Sequence, residues 1–158
     1  MDTESLLKSL NARDVRYVVI GATAFPVHGY ARATLDIDIF IEATRENVER
    51  TLAALWDTGY DMTDVTIDDL LTKKLLIRQY VQETDIHPFV TGVTFDEIWR
   101  HRVADRIGQT PAFFASLDDL IRMKRAAGRP KDLEDLRVLT KLKELSAQGS
   151  ASQDDGSV

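Results

Sequence analysis

Asp36 and Asp38 occupy alternate positions in the segment LDIDIFIE, residues 35–42. Successive side chains of an extended chain point to opposite faces, so Asp36, Asp38 and Phe40 share one side and Ile37, Ile39 and Ile41 the other. The isoleucines anchor such a strand in a core, which leaves the two carboxylates together on the opposite face. Like charges that close repel unless a proton or cation stands between them, and hard oxygen donors suit magnesium or manganese. Taken alone, the pair better fits an edge strand kept soluble by an acidic face. The upstream context sets it apart. RYVVI, residues 16–20, reads as a buried strand ending at Gly21-Ala22-Thr23. A strand-to-helix turn there exposes backbone N–H groups and lets an anion approach the chain closely.

The run GATAFPVHGYARATLDIDIFI resembles the signature of the minimal nucleotidyltransferases of the polymerase-β superfamily. In that family a strand ends in Gly-Gly or Gly-Ser, a helix follows, and an Asp-x-Asp strand returns. His28, Gly29, Arg32, Ala33, Thr34, Asp36, Ile37 and Asp38 carry the match H-G-x-x-R-A-T-x-D-I-D. A later segment, DLIRMKRAAGRPKDLEDL, resembles the K-x-x-x-x-R-x-K-D-x-x-D helical end of the bacterial MNT/AbiEii-like group, which includes toxin-like members.

The resemblance implies an α/β (α+β) fold, a small mixed sheet flanked by helices with a helical C-terminal end. It also implies transfer of an NMP from a Mg-NTP to an acceptor hydroxyl, with release of pyrophosphate. Asp36 and Asp38 then bind Mg2+ (or Mn2+), while Gly21, Ala22 and Thr23 cradle the triphosphate. The family needs a third carboxylate on a later strand; Asp85 in TDIHPF is the best match and Glu83 the reserve. The likeness tilts Lys124 and Lys131 toward the nucleotide. Arg32, four residues before Asp36, is placed to neutralise a carboxylate or touch phosphate, and a structural ion pair explains it nearly as well. A small molecule, a protein hydroxyl and a tRNA end are all compatible acceptors. Ala22 departs from the usual Gly or Ser, which keeps open an alternative: a non-catalytic interaction module, such as an antitoxin or a regulatory partner of toxin-antitoxin type.

Composition narrows the rest. The chain has 158 residues, 44% hydrophobic and 29% charged, enough apolar material for one globular core. It has no cysteine, which removes disulfides, thiolate zinc sites and cysteine nucleophiles. No apolar run approaches the roughly 20 residues of a membrane span, and the start lacks a signal-peptide pattern, so a cytoplasmic protein is expected. The formal charge of −6 argues against broad binding to nucleic-acid phosphates. The cations between Arg122 and Lys143 leave a local RNA surface possible but read more simply as a solvated helix face. His28, His87 and His101 lack a zinc spacing and read as surface residues. No P-loop or kinase glycine loop occurs.

The elements that must hold these residues follow from periodicity and caps. A helix is expected over Glu4–Ala12, a short one over Ala22–Tyr30 despite Pro26, and one over Arg45–Thr58 between Thr44 and Gly59. The last has an apolar stripe of Val48, Leu52, Leu55 and Trp56; Trp56 and Trp99 are expected in the core. The acidic stretch 64–72 has no clear assignment. Strands are expected over Leu75–Val81 and Thr84–Phe89, with a hairpin around Gln82 and Glu83. Capping boxes at Thr94/Glu97 and Ser116/Asp119 start helices ending near Arg102 and Gly128. A final helix runs from Lys131 to Leu145, where Asp132 complements the dipole. Residues 1–145 form one domain, and 146–158 is too polar to pack and is expected to be a disordered tail.

Overall fold

The computed structural model describes residues 2–155, with side chains as far as residue 148. Its centre is a six-stranded mixed sheet built from β1 (Tyr17–Ile20), β2 (Asp36–Ile41), β3 (Leu75–Ile77), β4 (Glu83–His87), β5 (Val103–Ile107) and β6 (Thr110–Phe114). The spatial order is β3-β4-β2-β1-β6-β5. β2 runs antiparallel to β1 and parallel to β4, so both flanks of β2 are paired. All four side chains of β1 are buried. In β2 the expected alternation holds at the start, where Asp36 is exposed, Ile37 buried, Asp38 half-buried and Ile39 buried. At its far end the acidic face is covered: Phe40 is buried and meets Phe95 edge-on at 5.4 Å. This face of β2 is therefore open around the aspartates and closed beyond them.

Helices α1 (Thr3–Ala12) and α2 (Arg45–Thr58) pack against each other. Thr44 caps α2 by accepting from Asn47 N–H, and Gly59 ends it in the left-handed conformation. Asn47 is buried; it accepts from Arg16 N–H and donates to the carbonyls of Arg16 and Glu42. One amide thus ties α2 to the start of β1 and the end of β2. Trp56 departs from its expected place: it is 51% exposed while Leu55 is fully buried. It follows Leu55 directly, and a rotation of about 100° per residue carries it over the rim of the buried stripe. Trp99 is partly buried and stacks on Phe95 at 5.8 Å.

Other local differences have plain causes. The segment after β1 is a 3₁₀ helix, Gly21–His28, rather than an α-helix, with Pro26 inside it. The acidic stretch becomes α3 (Ile67–Thr72), nucleated by a reciprocal Thr66/Asp69 capping box. β3 stops at Ile77 and β4 already begins at Glu83, so the reversal occupies residues 78–82 and not Gln82-Glu83. Helix α4 (Phe95–Arg100) precedes the hairpin of β5 and β6, whose residues 103–114 the periodicity had left unassigned. β6 joins the sheet beside β1 through the Val19–Phe114 pair.

Helix α5 (Leu117–Ala127) leads through a 3₁₀ turn, Pro130–Asp132, to α6 (Leu133–Asp155). Helical backbone thus continues ten residues past the expected end at Leu145. The expected tail falls partly on this helical backbone and partly on residues 156–158, outside the described residues. No helix among the described residues is long and apolar enough to cross a membrane.

Candidate active site

Register does the assembly. Ile20, the last residue of β1, pairs with Asp38, so the chain leaves β1 at Gly21 directly beside that carboxylate. On the other flank the parallel β2/β4 ladder sets Asp36 opposite Glu83, Asp38 opposite Asp85 and Phe40 opposite His87. Directly paired residues present side chains to the same face. Asp36, Asp38, Glu83, Asp85 and His87 therefore share one face, while Thr84 and Ile86 are buried on the other.

One ligand atom from each of Asp38, Asp85 and His87 lies within 4.8 Å of the other two, and all three residues are half-buried. His87 Nε2 lies 2.8 Å from Asp38 Oδ1. A carboxylate offers only acceptors, so Nε2 carries the proton and donates. Asp38 Oδ2 faces the backbone of Gly21: a Cβ built there would stand 2.7 Å from it. Gly21 has φ +70°, a conformation that glycine adopts without strain. Both oxygens of Asp38 are thus placed, one by an imidazole and one by bare backbone. Thr23 Oγ1 donates to the carbonyl of Asp36 at 2.8 Å, and Asp36 N–H donates to Thr34 Oγ1 at 3.1 Å, fixing the start of β2 from both sides. Ala22 is partly buried against the core.

Asp85 is met by cations. Arg78 donates through an η nitrogen to Asp85 Oδ1 at 2.7 Å, its Nε lies 3.5 Å from Glu83, and Lys74 Nζ is 4.0 Å from Asp85 Oδ2. The hydrogen bond to Asp85 raises the Arg78 pKa above its ordinary value. Neither cation was singled out by spacing, because both lie around the β3/β4 reversal. His87, expected from the sequence as a surface residue, is also drawn into the cluster. Strand parity with Asp85 was its only sequence signal.

The other expected nucleotide contacts form a second assembly. Arg32 pairs with Asp135, whose other oxygen accepts from Tyr30 Oη at 3.0 Å. Lys124 Nζ lies 3.0 Å from Asp132 and 3.6 Å from Asp135, and Arg129 Nε lies 2.7 Å from Asp132. Asp132 and Asp135 are both buried. Asp132 is therefore an internal counter-ion, more than the start of a helix. Burial alone would raise its pKa, but hydrogen bonds from Lys124 and Arg129 outweigh this and hold it below the usual carboxylate value. Lys131 is exposed. The basic run 122–143 is largely neutralised, since Arg122, Lys124, Arg129, Arg137 and Lys143 all have acidic partners. His28 bonds the carbonyl of Ala115 at 2.8 Å, and His101 pairs with buried Asp119 at 3.0 Å.

The carboxylates fit a divalent cation: Asp38 and Asp85 converge from adjacent strands, with exposed Asp36 one pleat along β2 and the His87 imidazole donating to Asp38. Comparison with known families matches residues 2–148 to nucleotidyltransferase of unknown function (DUF6036). A search of curated proteins gave no match. With nearly its whole length covered, and with the strand, glycine and paired aspartates in place, this chain belongs to that family of nucleotidyltransferases.

Proposed function

We propose that the protein transfers a nucleoside monophosphate from a metal-bound nucleoside triphosphate to an acceptor hydroxyl, releasing pyrophosphate. The observation that carries this reading is the pairing of Asp38 with Asp85 across the parallel β2/β4 ladder, with the Gly21 backbone against Asp38. Asp36, Asp38 and Asp85 would hold Mg2+ or Mn2+. When bound, the cation neutralises charge on the triphosphate and favours deprotonation of the acceptor.

The chain's own residues supply positioning. Gly21 leaves room for the Asp38 carboxylate against the backbone, where a side chain would push it away. His87 holds Asp38 in one orientation through its 2.8 Å hydrogen bond, as the outer partners of metal-binding carboxylates do. Ile37 and Ile39, fully buried, fix β2 so that the carboxylates do not drift. Arg32 and Lys124 pair with Asp135 and Asp132, contacts that need no phosphate.

The test is incubation with each of the four nucleoside triphosphates, magnesium and a cell extract, followed by mass analysis. One acceptor should gain the mass of a nucleoside monophosphate, and Asp38→Asn should abolish the gain. Equal gain with Asp38→Asn would reject the assignment.

A further inference from the structure

The carboxylates gather on one face without a matching number of cations. Asp36, Asp38, Glu83 and Asp85 bring four acids to the start of β2 and β4. The basic side chains in contact with this group are Arg78 and, more distantly, Lys74, along with the His87 ring. Arg78 is the closest counter-ion, bonded to Asp85 at 2.7 Å and 3.5 Å from Glu83. It lies just past the end of β3, in the reversal 78–82, and its side chain is 42% exposed, whereas Asp85 is 19% exposed. The guanidinium therefore reaches in from solvent to a carboxylate that the sheet holds fixed.

That placement sets up a competition. The lone pair of Asp85 Oδ1 that accepts from the Arg78 η nitrogen cannot also hold a divalent cation. A cation arriving at Asp38 and Asp85 replaces the positive charge that Arg78 supplies. The displaced guanidinium stays beside the site, because residue 78 directly follows Ile77, which pairs with Thr84 next to Asp85. A bound triphosphate would be the nearest anion, and a guanidinium is the side chain best matched to phosphate oxygens. The cations expected from the sequence to do this, Arg32 and Lys124, are instead committed to Asp135 and Asp132.

We propose that Arg78 is an exchangeable counter-ion. In the free protein it holds Asp85, and in the metal–triphosphate complex it leaves Asp85 and binds phosphate. The inference rests on the metal–triphosphate reading above. It makes metal and triphosphate bind cooperatively, because the metal releases the residue that the anion recruits.

The experiment uses the full chain, Mn2+ followed by electron paramagnetic resonance, and inorganic triphosphate followed by calorimetry, so that no choice of base enters. Arg78→Ala should bind Mn2+ alone several-fold more tightly than the wild type, since a competitor is gone. In the presence of Mn2+ it should bind triphosphate roughly tenfold more weakly, the usual scale for losing a charge-assisted hydrogen bond. Arg78→Gln should repeat both effects if Arg78→Ala is unstable, and Arg78→Lys should recover part of the triphosphate affinity. If Mn2+ binding is unchanged or weaker in these variants while the wild type binds metal and triphosphate normally, Arg78 is a scaffold residue and the proposal alone falls. If the wild type binds neither, the functional reading falls with it.

Discussion

Gly21 and Asp38 are so close that a side chain on one displaces the other: a Cβ on Gly21 would meet Asp38 Oδ2 at 2.7 Å. The contact follows from the β1/β2 register, which sets Ile20 opposite Asp38 and leaves the next residue to turn past the carboxylate at φ +70°. Gly21→Ala should therefore cost about 1–2 kcal/mol from the left-handed backbone alone. It should also weaken metal–triphosphate binding, because Asp38 must rotate away. Thermal melting and calorimetry on the variant measure the two effects. A variant with wild-type affinity would show that Asp38 does not need this orientation.

Ile37 and Ile39 are fully buried on the face of β2 opposite the aspartates. Ile37→Ala or Ile39→Ala should destabilise the fold by about 2–5 kcal/mol, the usual cost of deleting buried methyl groups. Asp36→Asn should leave the melting temperature unchanged or higher, since Asp36 is exposed and its charge is repelled by neighbouring acids. Denaturant unfolding of the three variants checks the contrast. Equal losses in all three would mean that the strand's faces are misassigned.

Asp132 makes stability depend on pH. Lys124 and Arg129 hold its folded-state pKa below the ordinary value despite burial. The unfolded chain then binds more protons than the folded one between the two pKa values, so stability rises with pH across that window. The contribution is complete above the unfolded carboxylate pKa of about 3.9 and is lost as pH falls through the folded value. Asp132→Asn should flatten the stability profile below about pH 4 and lower the plateau above it. Urea melts from pH 3 to 7 measure the slope. An unchanged slope would show that other carboxylates carry the acid sensitivity.

The end of α6 should be dispensable. Side chains 143–148 are exposed, so the helix there has nothing to bury. Truncation after Leu145 should leave the melting temperature and triphosphate binding nearly unchanged. A large loss of either would show that the segment docks.

How much of this was legible depended on where the physics was local. The start of β2 could be read because Asp36 to Ile39 alternate across a sheet with one face buried, and α2 because Thr44 and Gly59 bracket it. The β5/β6 hairpin could not. β5 is an edge strand with three of five residues exposed, so it has no apolar alternation, and Pro111 weakens β6 as a strand signal. Its one local sign was Gly108 followed by Gln109, the glycine-first pattern of a two-residue turn, with Gly108 at φ +59°. The carboxylate cluster was half legible. Parity put Asp85, Glu83 and His87 on one face, but only the β2/β4 register brings Asp85 to Asp38 and His87 within 2.8 Å of it. Arg78 was invisible because its partner lies across a reversal whose length the sequence misjudged. Trp56 misled because a residue at the rim of an apolar stripe carries the same periodicity as one within it.

The central claim is that the acids on β2 and β4 bind a divalent cation that carries a nucleoside triphosphate. Calorimetric titration of the four nucleoside triphosphates tests it most directly, using the wild type and the Asp38→Asn/Asp85→Asn variant, each with magnesium and with chelator. At least one triphosphate should bind the wild type with magnesium only, and none should bind the variant. Equal affinity with and without magnesium, or full binding by the variant, would contradict it.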